Sequence, residues 1–401
     1  MTNELSMTDF LQSGFRDKRV FVTGHTGFKG SWLCLWLRQF GAETHGYALD
    51  PPTDPSNFTV ANVADSLAQH TVGDVRDVDD LHRAVDEANP DIVLHLAAQS
   101  VVRTGFQQPL DTFATNVMGV ANMLEVVRRR RRPCNVVVVT SDKCYENREI
   151  VWGYRENDPF GDHDPYGGSK GAAELVVRSY RDSFFSTTDL PNHGVKLASA
   201  RAGNVIGGGD WTKDALLVDA FAALAASRPI EIRSPQAVRP WQHVLQALSG
   251  YLTLAAKLVT SDDAEWCSGW NIGPHCGDEA SVREVIERYL ALWGAGEWVD
   301  VSRGEHPREA NILRLSIDKA VWRLGWRPAW GLNQTLAATA DWRRHYEAGA
   351  DMRSVCEQQI ASYERDMCTP GRGSDAAPPA AISVDPLSSS LPGSSLPSEV
   401  R

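Results

Sequence analysis

The chain has 401 residues, 42% of them hydrophobic, and a formal net charge of −11. That is enough for a large core in two lobes, and the acidic balance excludes nonspecific nucleic-acid binding as a main role. Seven cysteines at 34, 134, 144, 267, 276, 356 and 368 form no CxxC pair, so neither a zinc site nor a disulfide framework is indicated and a reducing cytoplasm fits. The N-terminus has no basic region followed by an apolar stretch, and no run reaches membrane-span length, so neither a secretory signal nor a membrane span is expected. The basic run Arg128 to Arg132 reads as a solvated helix end favoured by the helix dipole.

In chain order, residues 1–17 read as an irregular leader, and from Arg19 strands alternate with helices. Val20 to Val22, Thr44 to Leu49, a strand ending at Asp74, Ile92 to Leu96, Val136 to Thr140 and Lys196 to Arg201 have strand character. Ser31 to Phe40, Val78 to Ala88, Thr112 to Arg131 and Ser169 to Phe185 have helical spacing. This alternation predicts an α/β fold, a Rossmann-type doubly wound parallel sheet over 18–206. Ten of the thirteen tryptophans lie from Trp211 onward, among glycine-rich loops. Residues 207–366 are therefore assigned to a smaller C-terminal substrate-binding lobe, from which strands can return to the sheet. Residues 367–401, rich in Pro, Ser and Ala beyond Thr369, read as a disordered tail.

Gly24-His25-Thr26-Gly27-Phe28-Lys29-Gly30 joins the first strand to the first helix. Glycines at 24, 27 and 30 permit a tight turn, backbone approach to a pyrophosphate and close helix packing, with Thr26 and Phe28 in the same loop. Asp50 lies twenty residues past Gly30. There it either holds the ribose hydroxyls and favours NAD over NADP, or turns the chain before Pro51-Pro52. Asp74 either holds an adenine amino group or caps a turn. Leu96, Ala97 and Ala98 follow the fourth strand and are small enough for a cofactor to cross the sheet edge. His25 and Lys29 either approach the phosphates or simply pack.

Thr140-Ser141-Asp142-Lys143 ends the apolar run Asn135 to Val139, and Tyr166 and Lys170 follow at i, i+4. Oxidation of a carbinol needs only the hydroxyl, the tyrosine and the second lysine. The pair Asp142 and Lys143 adds an acid and a base, which removal of water from a sugar requires. Both reach one substrate only if the chain turns sharply after Ser141, because adjacent strand residues point to opposite faces. Asp142 could alternatively be a turn residue and Lys143 a surface charge.

Together these motifs resemble the extended short-chain dehydrogenase/reductase family, within it the nucleotide-sugar 4,6-dehydratases that act on CDP-glucose. The resemblance rests on Gly24 to Leu33, Thr140 to Asn147, Arg201 to Trp211, Arg239 to Val244 and Leu324-Gly325-Trp326. It runs from about Lys18 to Glu364. Lys143 discriminates, since related dTDP-glucose and GDP-mannose dehydratases carry glutamate there. Gly105-Phe106, Ala215 and Arg308 depart from the family pattern, toward the substrate lobe.

The resemblance implies a lyase with NAD as cofactor. Tyr166 takes the C4 hydroxyl proton, Ser141 hydrogen-bonds the C4 oxygen, Lys143 takes the C5 proton, and Asp142, kept protonated, gives one to the C6 hydroxyl. Lys170 and the nicotinamide charge would lower the Tyr166 pKa. Gln99, Arg103, Asn204 and Arg239 are the substrate-binding candidates. Asn204 could instead brace a turn, and Arg239 could sit in an ordinary ion pair. The partner is CDP-glucose or a related nucleotide-sugar, in bacterial deoxysugar synthesis such as that of lipopolysaccharide O-antigen. A 4-epimerase of the same fold and a noncatalytic NAD-sensing scaffold are the alternatives. Apolar faces on Val117 to Val127 and Leu175 to Phe185 predict a homodimer, with a tetramer as the alternative.

Overall fold

The computed structural model describes residues 6–275, 277–303 and 311–368. The assigned tail from 369 to 401 and the departure at Arg308 lie outside them. The order is α1 (Met7–Phe15), β1 (Arg19–Thr23), α2 (Phe28–Gln39), β2 (Glu43–Ala48), β3 (Gln69–Val72), α3 (Val78–Ala88) and β4 (Ile92–His95). Then come α4 (Gly119–Arg130), β5 (Cys134–Val139), α5 (Pro165–Ser183), β6 (Val195–Ala202), α6 (Leu216–Ala225), α7 (Val244–Thr260) and β7 (Gly269–Ile272). The chain closes with α8 (Val282–Trp293), α9 (Leu332–Glu347) and α10 (Met352–Met367). Shorter elements fill the connections.

Seven strands form one sheet in the order β7-β6-β5-β4-β1-β2-β3, every neighbouring pair parallel. The strands read as near-continuous apolar runs because helices cover both faces. Val137 and Val139 face a core with Trp32, Trp36 and Leu248, whereas Val136 and Val138 face one with Leu81, Met123 and Val177. The order reverses between β1 and β4, which opens a crevice at the carboxyl ends of the strands. β7 is a strand returned from the C-terminal region, and it pairs with β6 from Gly269↔Ser199 to Ile272↔Ala202. A third core, with Leu217, Trp241, Ile286 and Leu336, holds the smaller lobe.

The segment read as an irregular leader departs from that reading, since Met7–Phe15 is α1. The Ser6 hydroxyl caps it by accepting the Asp9 N–H at 3.1 Å. Leu11 and Phe15, one turn apart, are fully buried. A Cβ on Gly14 would lie 2.8 Å from that of Ala256, so the glycine lets α1 press onto α7. Burial of two such side chains stabilises by about 1.5–3 kcal/mol each, which outweighs the weak propensity of so short a helix.

Candidate active site

The glycine loop is built against the end of β4. Gly24 has φ +75°, and a Cβ there would lie 2.8 Å from the Ala97 nitrogen. A Cβ on Gly30 would overlap the Gly24 carbonyl and the His25 backbone. Gly27 is the N-cap of α2 and offers no side chain, so the first-turn N–H groups stay open to an anion. Thr26 donates its hydroxyl to the Leu49 carbonyl at 2.9 Å, tying the loop to the end of β2. Phe28 opens α2 and packs toward Gly207 of the substrate lobe. Leu96 and Ala97 donate their N–H groups to Thr23, at 3.2 and 3.1 Å, and Ala98 follows half-buried.

The two acidic candidates differ in setting. Asp50 is exposed two residues beyond β2. Asp74 is clamped by Arg76, whose guanidinium reaches both carboxylate oxygens at 2.7 to 3.1 Å. The Arg76 hydrogen bonds hold its carboxyl below the usual range, and its Oδ1 also accepts the Arg76 N–H. Among the described contacts Asp74 thus fits the turn-capping reading.

β5 ends at Val139, and Ser141 is extended at φ −157° and ψ 157°. The chain then enters a single 3-10 turn, Asp142–Cys144. This is the sharp turn that the Asp142–Lys143 pair requires. The Ser141 hydroxyl accepts the Lys143 N–H at 3.3 Å and donates to Asp142 Oδ1 at 3.0 Å. Asp142 is 3% exposed, and its Oδ2 has no hydrogen-bond partner among the described residues. A Cβ on Gly203 would lie 3.1 Å from that oxygen, so the carboxyl looks toward the loop after β6. Burial pushes its acidity down, with pKa above the usual carboxyl value, against the opposing pull of Lys143, the Ser141 hydrogen bond and Arg239. A neutral acid at this position is what protonation of a leaving hydroxyl needs.

α5 begins beside the turn. Asp164 accepts the N–H groups of Tyr166 and Gly167 at 2.8 and 3.0 Å, and Pro165 occupies the first turn. Tyr166 and Lys170 are one turn apart and buried. Burial raises the Tyr166 pKa, against an opposing pull from Ser141. Burial and the nearby Lys29 push the Lys170 pKa down to about 7. A lysine so readily neutralised gives weak support to a phenolate.

Lys29 emerges as part of the site. Burial lowers its pKa to about 8, against the attraction of Asp142 and Asp210. It reaches from the glycine loop toward the acid of the turn and the substrate loop. No local pattern announces this, because Asp210 is 181 residues away in sequence. A group that sequence reading missed lies beneath the site. Glu174, one turn beyond Lys170, accepts from Thr140 at 2.5 Å, Ser199 at 2.8 Å and Arg201 at 2.8 Å. Arg201 also donates to the Tyr145 hydroxyl at 2.7 Å, and Tyr145 donates to Asn271 of β7 at 2.6 Å. The network locks α5, the catalytic turn and three strands together. Glu174 at i+4 from Lys170 was the available signal.

A cavity of about 710 Å³ is lined by Arg103, Asn204, Asp214, Arg233, Arg239 and Trp241 among others; Ser141, Asp142, Lys143, Tyr166 and Lys170 are not in its lining, and it nears the turn through Asn204, the neighbour of Gly203. This size suits a nucleotide-sugar. Arg103 and Arg233 approach Asp214 at 2.8 and 3.5 Å, which gathers two guanidinium groups on one wall. Arg239 is buried, donates to the carbonyls of Val238 and Asn311 at 2.9 and 3.3 Å, and lies within electrostatic reach of Asp142. Asn204 accepts the Gln242 N–H on its carbonyl at 2.9 Å, leaving its side chain at the cavity wall. Gln99 stands apart from this group. Its side chain bonds Thr112 at 2.9 Å and the Val101 N–H at 2.5 Å, so it organises its own loop.

The family described as GDP-mannose 4,6 dehydratase matches residues 21–265. The chain is 47% identical over 350 residues to CDP-glucose 4,6-dehydratase of Salmonella typhimurium, covering 87% of this chain and 97% of the relative. The chain belongs to the GDP-mannose 4,6-dehydratase family of extended short-chain dehydrogenases/reductases. Solved structures agree with this membership. Thermus thermophilus UDP-glucose 4-epimerase, in complex with NAD, shares 26% identity at TM-score 0.66, covering 80% of this chain and 97% of the other. Bacillus anthracis dTDP-glucose 4,6-dehydratase, also with NAD, has the same fold at 19% identity and TM-score 0.66, covering 82% and 98%. The glycine loop and α2 follow β1, where the strand order reverses between β1 and β4.

Proposed function

We propose that this protein is an NAD-dependent hydro-lyase that converts CDP-glucose to CDP-4-keto-6-deoxyglucose. The observation that carries the reading is the 3-10 turn after Ser141, which sets a buried, weakly acidic Asp142 beside Lys143 within reach of the Tyr166–Lys170 helix. An epimerase has no use for that added acid and base, and a scaffold has no use for the buried tyrosine and lysine. The 47% identity to a CDP-glucose 4,6-dehydratase across nearly its whole length supports the same substrate.

The residues fit a dinucleotide. Side chains at Gly24 or Gly30 would fill the cradle, and α2 opens on it without a capping side chain. Gly24, Thr26, Gly27, Phe28 and Gly30 would hold the pyrophosphate region, Asp50 the ribose, and Leu96 to Ala98 the floor. NAD bound there supplies a hydride acceptor for C4 and the same hydride back for C6. Tyr166 accepts the C4 hydroxyl proton while Ser141 holds the C4 oxygen and Lys170 steadies the phenol. The new ketone acidifies C5, and Lys143 removes that proton. Asp142 then protonates the C6 hydroxyl, which departs as water, and Lys143, only half-buried so that its ammonium protons exchange with solvent, delivers a proton to C5. Arg103, Arg233 and Arg239 suit a diphosphate, since guanidinium groups bind phosphate oxygens in pairs.

Helical segments next to α4 and on α5 expose Leu110, Phe113, Met118 and Leu175, an apolar face suited to a symmetric homodimer. Among the described residues no helix is long and apolar enough to cross a membrane. A cytoplasmic enzyme feeding bacterial deoxysugar synthesis is consistent with both. Mass spectrometry of the protein incubated with NAD and separately with CDP-, dTDP-, UDP- and GDP-hexoses tests the proposal. Loss of one water from CDP-glucose alone is expected. Loss from a different nucleotide would refute the cytidine assignment, and altered stereochemistry without water loss would refute the dehydratase.

A further inference from the structure

One carboxylate oxygen in the cavity engages two cations. Asp214 Oδ1 accepts a hydrogen bond from Arg103 Nη1 at 2.8 Å and lies 3.5 Å from Arg233 Nη1. Arg103 comes from the helical segment Val102–Gln107 beyond β4, and Arg233 follows the short strand Ile230–Ile232. Among the described residues neither guanidinium has another hydrogen-bond or ion-pair partner. Asp214 stands in the link that leads into α6, at φ +69°. That left-handed backbone is disfavoured for most side chains, although aspartate and asparagine tolerate it. The link is pinned close by: Thr212 donates its N–H to Asp210 at 2.9 Å, and Ala215 donates its own to the Thr212 carbonyl at 3.2 Å.

We propose that Asp214 is a latch whose carboxylate competes with the diphosphate of the substrate for Arg103 and Arg233, and so sets the affinity of the cavity for phosphorylated ligands. The proposal rests on the dehydratase reading above for the identity of the ligand. Carboxylate and phosphate oxygens make the same charge-assisted bond to a guanidinium. An oxygen that meets both cations stands where a phosphate oxygen would have to sit, so the two anions exclude each other there. Binding exchanges one set of ion pairs for another, and only the difference appears as affinity. The diphosphate wins because it brings two phosphate groups, which can take the two guanidinium groups on separate oxygens. Release of Asp214 frees the link into α6, and α6 supplies Leu217 and Phe221 to the same cavity.

A bracing role for Asp214 predicts the opposite sign. A brace would hold both guanidinium groups ready for phosphate, and its removal would let them swing away and weaken binding. The geometry favours competition. A brace would use both carboxylate oxygens in paired bonds, whereas here one oxygen serves both arginines. The Arg233 contact is a long ion pair with no hydrogen bond, so Asp214 does not fix that group. Glu231, two residues before Arg233, is exposed and lines the same cavity without an ion pair among the described residues. It serves as a comparison, because its removal lowers the negative charge of the cavity and frees no guanidinium.

Titration calorimetry of the full-length protein compares wild type, Asp214→Asn, Asp214→Gly and Glu231→Gln, with CDP-glucose, inorganic pyrophosphate and cytidine as probes. Asparagine and glycine both accept a left-handed backbone, so the link keeps its shape. Glycine decides the matter, because it also removes the amide oxygen that asparagine could still offer to Arg103. CDP-glucose and pyrophosphate are expected to bind Asp214→Gly about two- to fivefold more tightly, the range for losing a partly exposed competing ion pair. The KM for CDP-glucose should fall with it. Cytidine, which carries no phosphate, should bind all four proteins alike, and Glu231→Gln should tighten pyrophosphate less than either Asp214 variant. Weaker or unchanged pyrophosphate binding by Asp214→Gly would overturn the latch. Equal tightening by Glu231→Gln would overturn it too, as would tighter binding of cytidine. A wild type that binds pyrophosphate and not CDP-glucose would fail the substrate reading instead, and the pyrophosphate comparison would still decide the latch.

Discussion

Replacing Glu174 by alanine should destabilise the protein more than any surface change. Its carboxylate and the Arg201 guanidinium are 2% and 5% exposed and 2.8 Å apart. Burial opposes the charge on Glu174, but Arg201 and the hydroxyls of Thr140 and Ser199 overcome it and hold its pKa below the usual value. Removing one member leaves a buried, uncompensated cation and two hydroxyls without their acceptor. A loss of about 3–5 kcal/mol follows, a large part of the roughly 5–15 kcal/mol that holds a typical domain folded. Replacing both partners at once, Glu174→Leu with Arg201→Met, leaves no stranded charge and should cost far less than either single change. Urea unfolding followed by tryptophan fluorescence, without ligand and at fixed protein concentration, measures both. The sign with pH is also fixed. Because the folded pKa of Glu174 is depressed, the pair stabilises fully above the ordinary value of 4.5 and loses its contribution as pH falls below it. A loss under about 1 kcal/mol for Glu174→Ala, or a double variant less stable than both singles, would refute the role given to this network.

Three more outcomes follow from the same structure. Lys143→Ala should still oxidise C4 but lose deuterium uptake at C5 from heavy water, and undiminished exchange would remove Lys143 from the base role. Lys170 has a folded pKa of about 7, depressed from 10.5 by burial and by Lys29. The unfolded chain therefore binds its proton more tightly, stability rises with pH across that window, and Lys170→Met should stabilise most at or below pH 7. Equal gains at pH 7 and pH 10 in thermal unfolding would contradict this. Leu110 and Leu175 are 83% and 54% exposed, so Leu110→Glu with Leu175→Glu should yield a monomer by light scattering if those helices form the dimer face.

Much of this was legible in sequence because the signals are local. The valine run before Ser141 specifies a strand buried on both faces, and the glycine spacing specifies a loop between strand and helix. The turn after Ser141 was implied by chemistry alone, since two adjacent residues must face one substrate. What escaped was non-local or marginal. α1 carries only Leu11 and Phe15 as fully buried apolar anchors, too few for a clear period. Lys29 meets Asp210, and Glu174 meets Arg201, only once the sheet is assembled. Gln99 lay next to the cofactor floor in sequence, yet Thr112 and Val101 claim its side chain.

The central claim is that one hydride travels from C4 to C6 of the same sugar while water leaves across C5 and C6. Incubation of the protein and NAD with CDP-glucose deuterated at C4, followed by proton and deuterium magnetic resonance of the product, tests it directly. The account predicts a 4-keto product carrying the deuterium in its C6 methyl group, with the C5 position exchanged from solvent. Deuterium retained at C4 with altered configuration, or a C6 that still bears oxygen, would contradict it.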